Sequence, residues 1–283
     1  MFYFFVAAAA LAQDVPRQAL VPGGIVVIPL GPDTNPAPIV HFDGNRVLIL
    51  NHVGQWQAIV GLPLNVNPGE QIITVMDNHG ARNYSFTVQP KKYIAQHLTL
   101  KNKNLVNPTE DELKRIVREQ TIISNAFATW TETPLASLDF RLPVQGRISS
   151  TFGLRRFYNN EERQPHSGLD IAAPIGTAVA APFAGSVIET GSYFFNGNTV
   201  FLDHGQGLIS MFNHLSRIGV KIGERVQAGQ KIGEVGMSGR ATGPHLHWTI
   251  SLNNSRVDPE FFLPERKLTP KAVMKNTEAF KTD

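Results

Sequence analysis

Apolar positions recur with a period of two over much of the chain, and with a helical period in one stretch near its middle. Between about residues 22 and 90 the apolar runs are short and are broken by Gly, Pro and Asn. Ile25–Leu30, Arg46–Leu50, Trp56–Leu62, Gln71–Met76 and Asn83–Val88 read as strands at hairpin spacing. Val47 and Ile49, then Ile72, Thr74 and Met76, carry the alternation of half-buried strands. The region 20–90 is therefore expected to be a β-sandwich of immunoglobulin-like size.

A helical linker is expected over residues 91–140. Thr109 can cap a helix, and Glu112, three positions on, completes a capping box. Leu113, Ile116, Val117, Ile123 and Phe127 follow at helical spacing, with Gln120 interrupting the stripe. The expected role of this face is to seat one domain on the other. From Pro143 to about Pro264 Gly-rich strands return, which predicts a second β domain over 141–266. Lys267 to Asp283 are charged and are expected to be a loose tail or short helix.

The composition supports this picture. A length of 283 residues suits two domains, and 42% hydrophobic with 17% charged residues suits buried cores. With 26 basic and 23 acidic residues the formal charge is only +3 and is scattered, so nucleic acid is not an expected partner. The absence of cysteine excludes disulfides, thiol catalysis and Cys-based zinc sites. Any metal site must be built from His and carboxylates. Met1–Ala12 is an uncharged apolar run ending in an A-x-A pattern, read as a signal peptide of an exported protein, periplasmic or secreted. It is shorter than a membrane span, and no transmembrane anchor is expected.

Five residues in the second β region carry the candidate chemistry. His166 and Asp170, in H-S-G-L-D, would point the same way from an extended strand, with Leu169 and Ile171 on the opposite face. In H-L-H-W-T-I-S-L, Leu246, Trp248, Ile250 and Leu252 supply an apolar face, so His245 and His247 are not needed for the core. His214 ends another apolar run. Two His and one carboxylate with an open position would make a hydrolytic zinc site, leaving two histidines for acid–base work. Spacing alone does not say which three of the five bind metal. Arg155 either faces the groove and pairs with a substrate carboxylate or supports its strand. His41, His52 and His79 share no ligand-like spacing, and Asp203 and His204 read as structural.

Thr151-Phe-Gly-Leu-Arg155, His166-Ser-Gly-Leu-Asp170, Asn213-His214-Leu215, Val226-Gln-Ala-Gly-Gln-Lys-Ile-Gly and Ser238-Gly-Arg-Ala-Thr-Gly-Pro-His245-Leu-His247 follow one another in order. Over about residues 145–262 they resemble the lysostaphin-type, or LytM-type, zinc endopeptidases. The resemblance implies a mainly β chain whose antiparallel β-sheet groove holds one zinc ion (Zn2+) per chain. It further implies cleavage of peptide cross-links in bacterial peptidoglycan, with peptidoglycan peptide stems as the partner. It makes His166, Asp170 and His247 the metal ligands and His214 and His245 the catalytic histidines. The N-terminal β domain resembles accessory domains that precede some catalytic domains of this kind, and would either position the enzyme or inhibit it by covering the groove. Two other readings compete. One is a catalytically silent cell-wall-binding regulator of an amidase. The other is a lipoyl- or biotinyl-like carrier barrel, which would leave His166, Asp170 and His247 without a purpose.

Overall fold

The structure is a computed structural model that describes residues 15–32, 36–98, 108–135, 137–158, 161–162 and 164–264. The expected signal peptide, 1–12, and the tail, 267–283, lie outside them.

The N-terminal strands are β1 (Ile25–Pro32), β2 (Ile39–Phe42), β3 (Asn45–Arg46), β4 (Leu48–His52), β5 (Gln55–Gly61), β6 (Gly69–Asp77) and β7 (Gly80–Val88). They form two sheets, β1-β5-β4 and β3-β2-β6-β7, closed over Val26, Val40, Phe42, Ile49, Val60, Ile73 and Val75. The strand expected over Arg46–Leu50 is divided at Val47, where the chain crosses between the sheets and Val47 N–H donates to Val40 O at 2.8 Å.

The β1-β5-β4 sheet is buried on both faces. Ile25, Leu48, Leu50 and Ile59 turn away from the sandwich and join the core of the second domain, beside Leu252 and Val257. This explains the nearly continuous apolar text of Leu48–Leu50 and Ala58–Leu62, since a sheet covered on both sides has no solvent face to alternate. Polar clamps line the same seam. Gln206 Nε2 donates to Ile49 O at 3.0 Å while its Oε1 accepts from Ile49 N at 3.1 Å. Asn253 makes the equivalent pair with Gly61.

The connection holds β8 (Ala95–Leu98) and α1 (Glu110–Phe127). The capping box at Thr109 and Glu112 forms as predicted. The burial of the helix departs from the expected stripe. Its inward row is Ile116, Glu119, Ile123 and Phe127, whereas Leu113 and Val117 are 48% and 66% exposed. Arg115 Nη2 donates to Ser192 O, and Glu119 Oε2 accepts from Phe194 N at 2.7 Å. These polar anchors fix the helix rotation, and residues two apart lie about 200° apart around it, so Leu113 and Val117 face outward.

The second domain contains β9 (Arg147–Ser150), β10 (Arg155–Tyr158), β11 (Glu161–Glu162), β12 (Leu169–Ala172), β13 (Ala178–Ala180), β14 (Gly185–Tyr193), β15 (Gly197–Gly205), β16 (Leu208–Ile218), β17 (Arg225–Val226), β18 (Lys231–Val235), β19 (His245–Leu252) and β20 (Ser255–Val257), followed by a 3-10 turn, Pro259–Phe262. The main path through its sheet is β17-β14-β15-β16-β19-β12-β9, and its neighbouring strands run antiparallel. β20 pairs with β19, while β13 and β18 attach at β16. A smaller sheet, β11-β10-β8, joins the connection to this domain through the parallel β8–β10 pair. Leu246, Trp248, Ile250 and Leu252 are fully buried, as the alternation of β19 required. The opposite face carries His245, His247, Thr249 and Ser251. The last turn of α1 covers part of that face, where Ala126 and Phe127 pack on Phe201, Ile209 and Met211.

Candidate metal centre

The register of β12 against β19 builds the centre. Asp170 pairs with His247 and Ala172 with His245, and directly opposed residues project from the same face. His166 precedes β12 rather than lying within it, so strand alternation alone does not aim it. Two backbone bonds set its position: His166 N–H donates to Leu154 O, and Gly153 N–H to His166 O. Between them and β12 sits Gly168, where a Cβ would lie 2.7 Å from His247 Nε2. Glycine is therefore needed at 168 for the imidazoles to converge.

His166 Nε2 lies 2.9 Å from Asp170 Oδ1 and 3.0 Å from His247 Nδ1, and the last two atoms are 2.8 Å apart. Among the described residues these three form the group of His, Asp and Glu side chains close enough to share a metal ion. A carbonyl fixes the tautomer of His166, and the outer nitrogen of His247 faces a hydroxyl able to accept its proton. His166 Nδ1–H donates to Thr151 O at 2.8 Å, and His247 Nε2–H donates to Thr249 Oγ1 at 3.0 Å. Each assignment leaves a lone pair on the inner nitrogen, so two imidazole acceptors and a carboxylate oxygen face one another. Three mutually repelling acceptors at this spacing fit a cation. Tetrahedral zinc at about 2.0–2.1 Å from N and O places its ligands about 3.3 Å apart, close to the separations found. One nitrogen-rich, sulfur-free donor set with three protein ligands is the pattern of zinc sites that keep an open position.

Burial opposes ionisation of Asp170, but with His166 and His247 protonated on their inner nitrogens, their hydrogen bonds and charge outweigh it and hold the carboxyl well below the usual carboxylate range. A cation seated among the three atoms would take the place of those protons. Burial pushes His247 down, against the pull of Asp170. An ionised Asp170 and a neutral His247 ring are the forms that coordinate a metal.

His214 and His245 stand beside the three donors. Their ring centroids are 4.7 Å apart, and His245 Nε2 lies 3.8 Å from Asp170 Oδ1. His245 Nδ1–H donates to Gly243 O and His214 Nδ1–H to Ser238 O, so each presents its Nε2. His214 has φ of 62°, a left-handed backbone that breaks the alternation of β16. Such positions cost of order 1–3 kcal/mol and gather at active sites. Desolvation pushes the His214 imidazole down to about 4.

Arg155 is placed elsewhere. It lies on β10, its Nε donates to Glu162 Oε1 at 2.7 Å, and its guanidinium sits over Phe157. The fold thus brings together five of the six singled-out residues. Gly168, Thr249 and the carbonyls of Thr151, Gly243 and Ser238, which aim the imidazoles, were not read as functional. Thr249 carried the one visible signal, its place on the polar face of β19.

An antiparallel β-sheet with two histidines and one carboxylate converging on its groove, and two more histidines beside them, defines a metallopeptidase class of centre. The sequence signature of peptidase family M23 matches residues 164–259, and that of the family's N-terminal domain matches residues 18–91. The crystal structure of a candidate M23 peptidase from Pseudomonas aeruginosa superposes with a TM-score of 0.75 and 42% identity, covering 87% of this chain and 96% of that one. The chain belongs to peptidase family M23. Among curated relatives it is 40% identical over 138 residues to the peptidoglycan DD-endopeptidase ShyA of Vibrio cholerae and 43% over 139 residues to ShyC of the same organism. These alignments cover 47% and 48% of this chain but 32% and 31% of those proteins, so the chain spans about a third of the length of the curated relatives it matches.

Proposed function

We propose that the protein is a zinc-dependent endopeptidase that cleaves peptide cross-links of bacterial peptidoglycan. The observation that carries this reading is the convergence of His166 Nε2, Asp170 Oδ1 and His247 Nδ1 beside the free Nε2 atoms of His214 and His245. Zinc held by the three donors would supply a polarised scissile carbonyl and a water of lowered pKa. Either flanking imidazole can accept the attacking water's proton on Nε2, and the other can stabilise the developing oxyanion or protonate the departing amine. Gly243 O and Ser238 O hold the two rings in the tautomer that leaves Nε2 available.

The names of the relatives, peptidoglycan DD-endopeptidases, favour the cross-link as substrate, and a wall substrate requires an exported protein. Among the described residues no helix is long and apolar enough to cross a membrane. The silent-regulator reading loses its motive, since all five side chains are present and aimed together. The cover on one end of the groove face comes from α1, in the connection over 91–140, so inhibition by the N-terminal domain would have to act together with that linker.

The test is incubation of the full chain with isolated peptidoglycan. Release of peptides that a chelator stops and added zinc restores is the expected result. Zinc-loaded protein that releases nothing from any peptidoglycan type would overturn the reading.

A further inference from the structure

Arg256 stands apart from every group used above. Its guanidinium carbon lies 4.1 Å from the centroid of the Phe127 ring. Among the described residues it has neither a hydrogen bond nor a carboxylate partner, and burial alone pushes its pKa down. Most half-buried arginines are paired, because an unpaired charge withdrawn from water is costly.

Register shows which way it faces. Arg256 pairs with Ser251 across β19 and β20, so it projects from the same face of β19 as Ser251, Thr249 and His247. Ser251 is four strand positions from His247, about 14 Å along β19. Thr249 and Ser251 are fully buried beneath the end of α1, so the approach to Arg256 is not along that strand face but through a cleft beside it. The neighbouring Ser251 Oγ is itself buried without a hydrogen-bond partner. Arg256 borders a cleft of about 720 Å³ that runs between the Pro63–Asn65 loop, α1 at Gln120, and the segment around Gln164 and Ser167 that leads to His166. Amides and hydroxyls line this cleft together with Pro63, Leu64 and Pro165, and none of the described residues lining it is acidic.

We propose that this cleft is an anion subsite flanked by the Gln164–Ser167 segment that carries His166, in which Arg256 takes a free carboxylate of the peptide being cleaved. The inference rests on the peptidase reading. It adds a specificity element on the His166 side of the metal centre, for peptide stems that carry free carboxylates. Three structural units wall the subsite: the N-terminal sandwich, α1 and the peptidase sheet. A carboxylate bound there would satisfy the guanidinium in a cleft also lined by Gln120, Gln164 and Ser167.

The test is calorimetric titration of the zinc-loaded, full-length His245→Ala protein, which binds without turnover, with a soluble cross-linked stem-peptide dimer. The dimer is used with its carboxylates free and, separately, amidated. Tighter binding of the free form by about tenfold or more is expected, and Arg256→Met, which keeps a stem over Phe127, should abolish the preference while Arg256→Lys retains part of it. Equal affinity for the two forms, a preference unchanged in Arg256→Met, or no binding of either form would overturn the proposal. The comparison of ligands on the unsubstituted Arg256 background stands even if Arg256→Met fails to fold. Cleavage by the wild-type chain is scored separately, so a failure of the subsite is distinguishable from a failure of the peptidase reading.

Discussion

Asp170 and His247 are direct cross-strand partners, and 2.8 Å separates the Asp170 Oδ1 from His247 Nδ1. A single register between β12 and β19 therefore sets two of the three donors. The third, His166, arrives from outside the strand and depends on Gly168. A one-residue slip of β12 would turn Asp170 into the core and destroy the centre, and the buried Leu169 and Ile171 prevent that slip.

Gly168→Ala tests this dependence. The added methyl would meet Trp248 O at 2.6 Å and the His247 ring at 2.7–2.8 Å, neither of which can retreat freely. We expect a loss of about 1–3 kcal/mol in stability, together with weaker metal binding. Chelator competition should show at least a tenfold loss of zinc affinity, and an unchanged affinity would contradict the role given to Gly168.

Thr249→Val isolates the outer hydrogen-bond partner of His247. The substitution preserves shape and removes the acceptor for Nε2–H. Outer partners of this kind are worth roughly 10–100-fold in metal affinity or activity. Zinc affinity measured by competition should fall by that order, with the fold unchanged by circular dichroism.

Much of the centre was legible in the sequence because β19 keeps strict period two, which left His245 and His247 unexplained by packing. The same logic failed for α1. Its helical period was visible, but the rotation of the helix was set by Arg115 and Glu119 bonding to Ser192 and Phe194, contacts that no local pattern encodes. β2 and β3 escaped notice because four- and two-residue strands carry too few positions to show a period. Arg256 was passed over for a related reason. A single arginine in a polar turn gives no sign of its face until the β19–β20 register is known.

His204 predicts a pH dependence of stability. It is buried between Ala184 O and Ser210 Oγ, and desolvation pushes its imidazole from an ordinary 6.5 down to about 4. The unfolded chain therefore binds a proton at higher pH than the folded one. The contribution is complete above about pH 6.5 and is lost as pH falls towards 4, amounting to about 2–3 kcal/mol by pH 4.5. Urea unfolding of wild type and His204→Gln at pH 7 and 4.5 should show a smaller pH-driven loss in the variant. Equal losses would contradict the assignment.

The shared core predicts one cooperative unit. Ile25, Leu48, Leu50 and Ile59 are buried against the peptidase domain, and Gln206 satisfies both backbone groups of Ile49. Thermal unfolding should show a single transition, and Gln206→Ala should destabilise the whole chain by about 1–3 kcal/mol. Two well-separated transitions would contradict it.

The central claim is that His166, Asp170 and His247 hold one zinc ion while His214 and His245 do chemistry beside it. Metal analysis of the purified protein and two variants tests this most directly. We expect about one zinc per chain in wild type and in His245→Ala, the latter without peptidoglycan cleavage, and loss of zinc in His247→Ala. Stoichiometric zinc in His247→Ala, or none in wild type after exposure to excess zinc, would contradict the account.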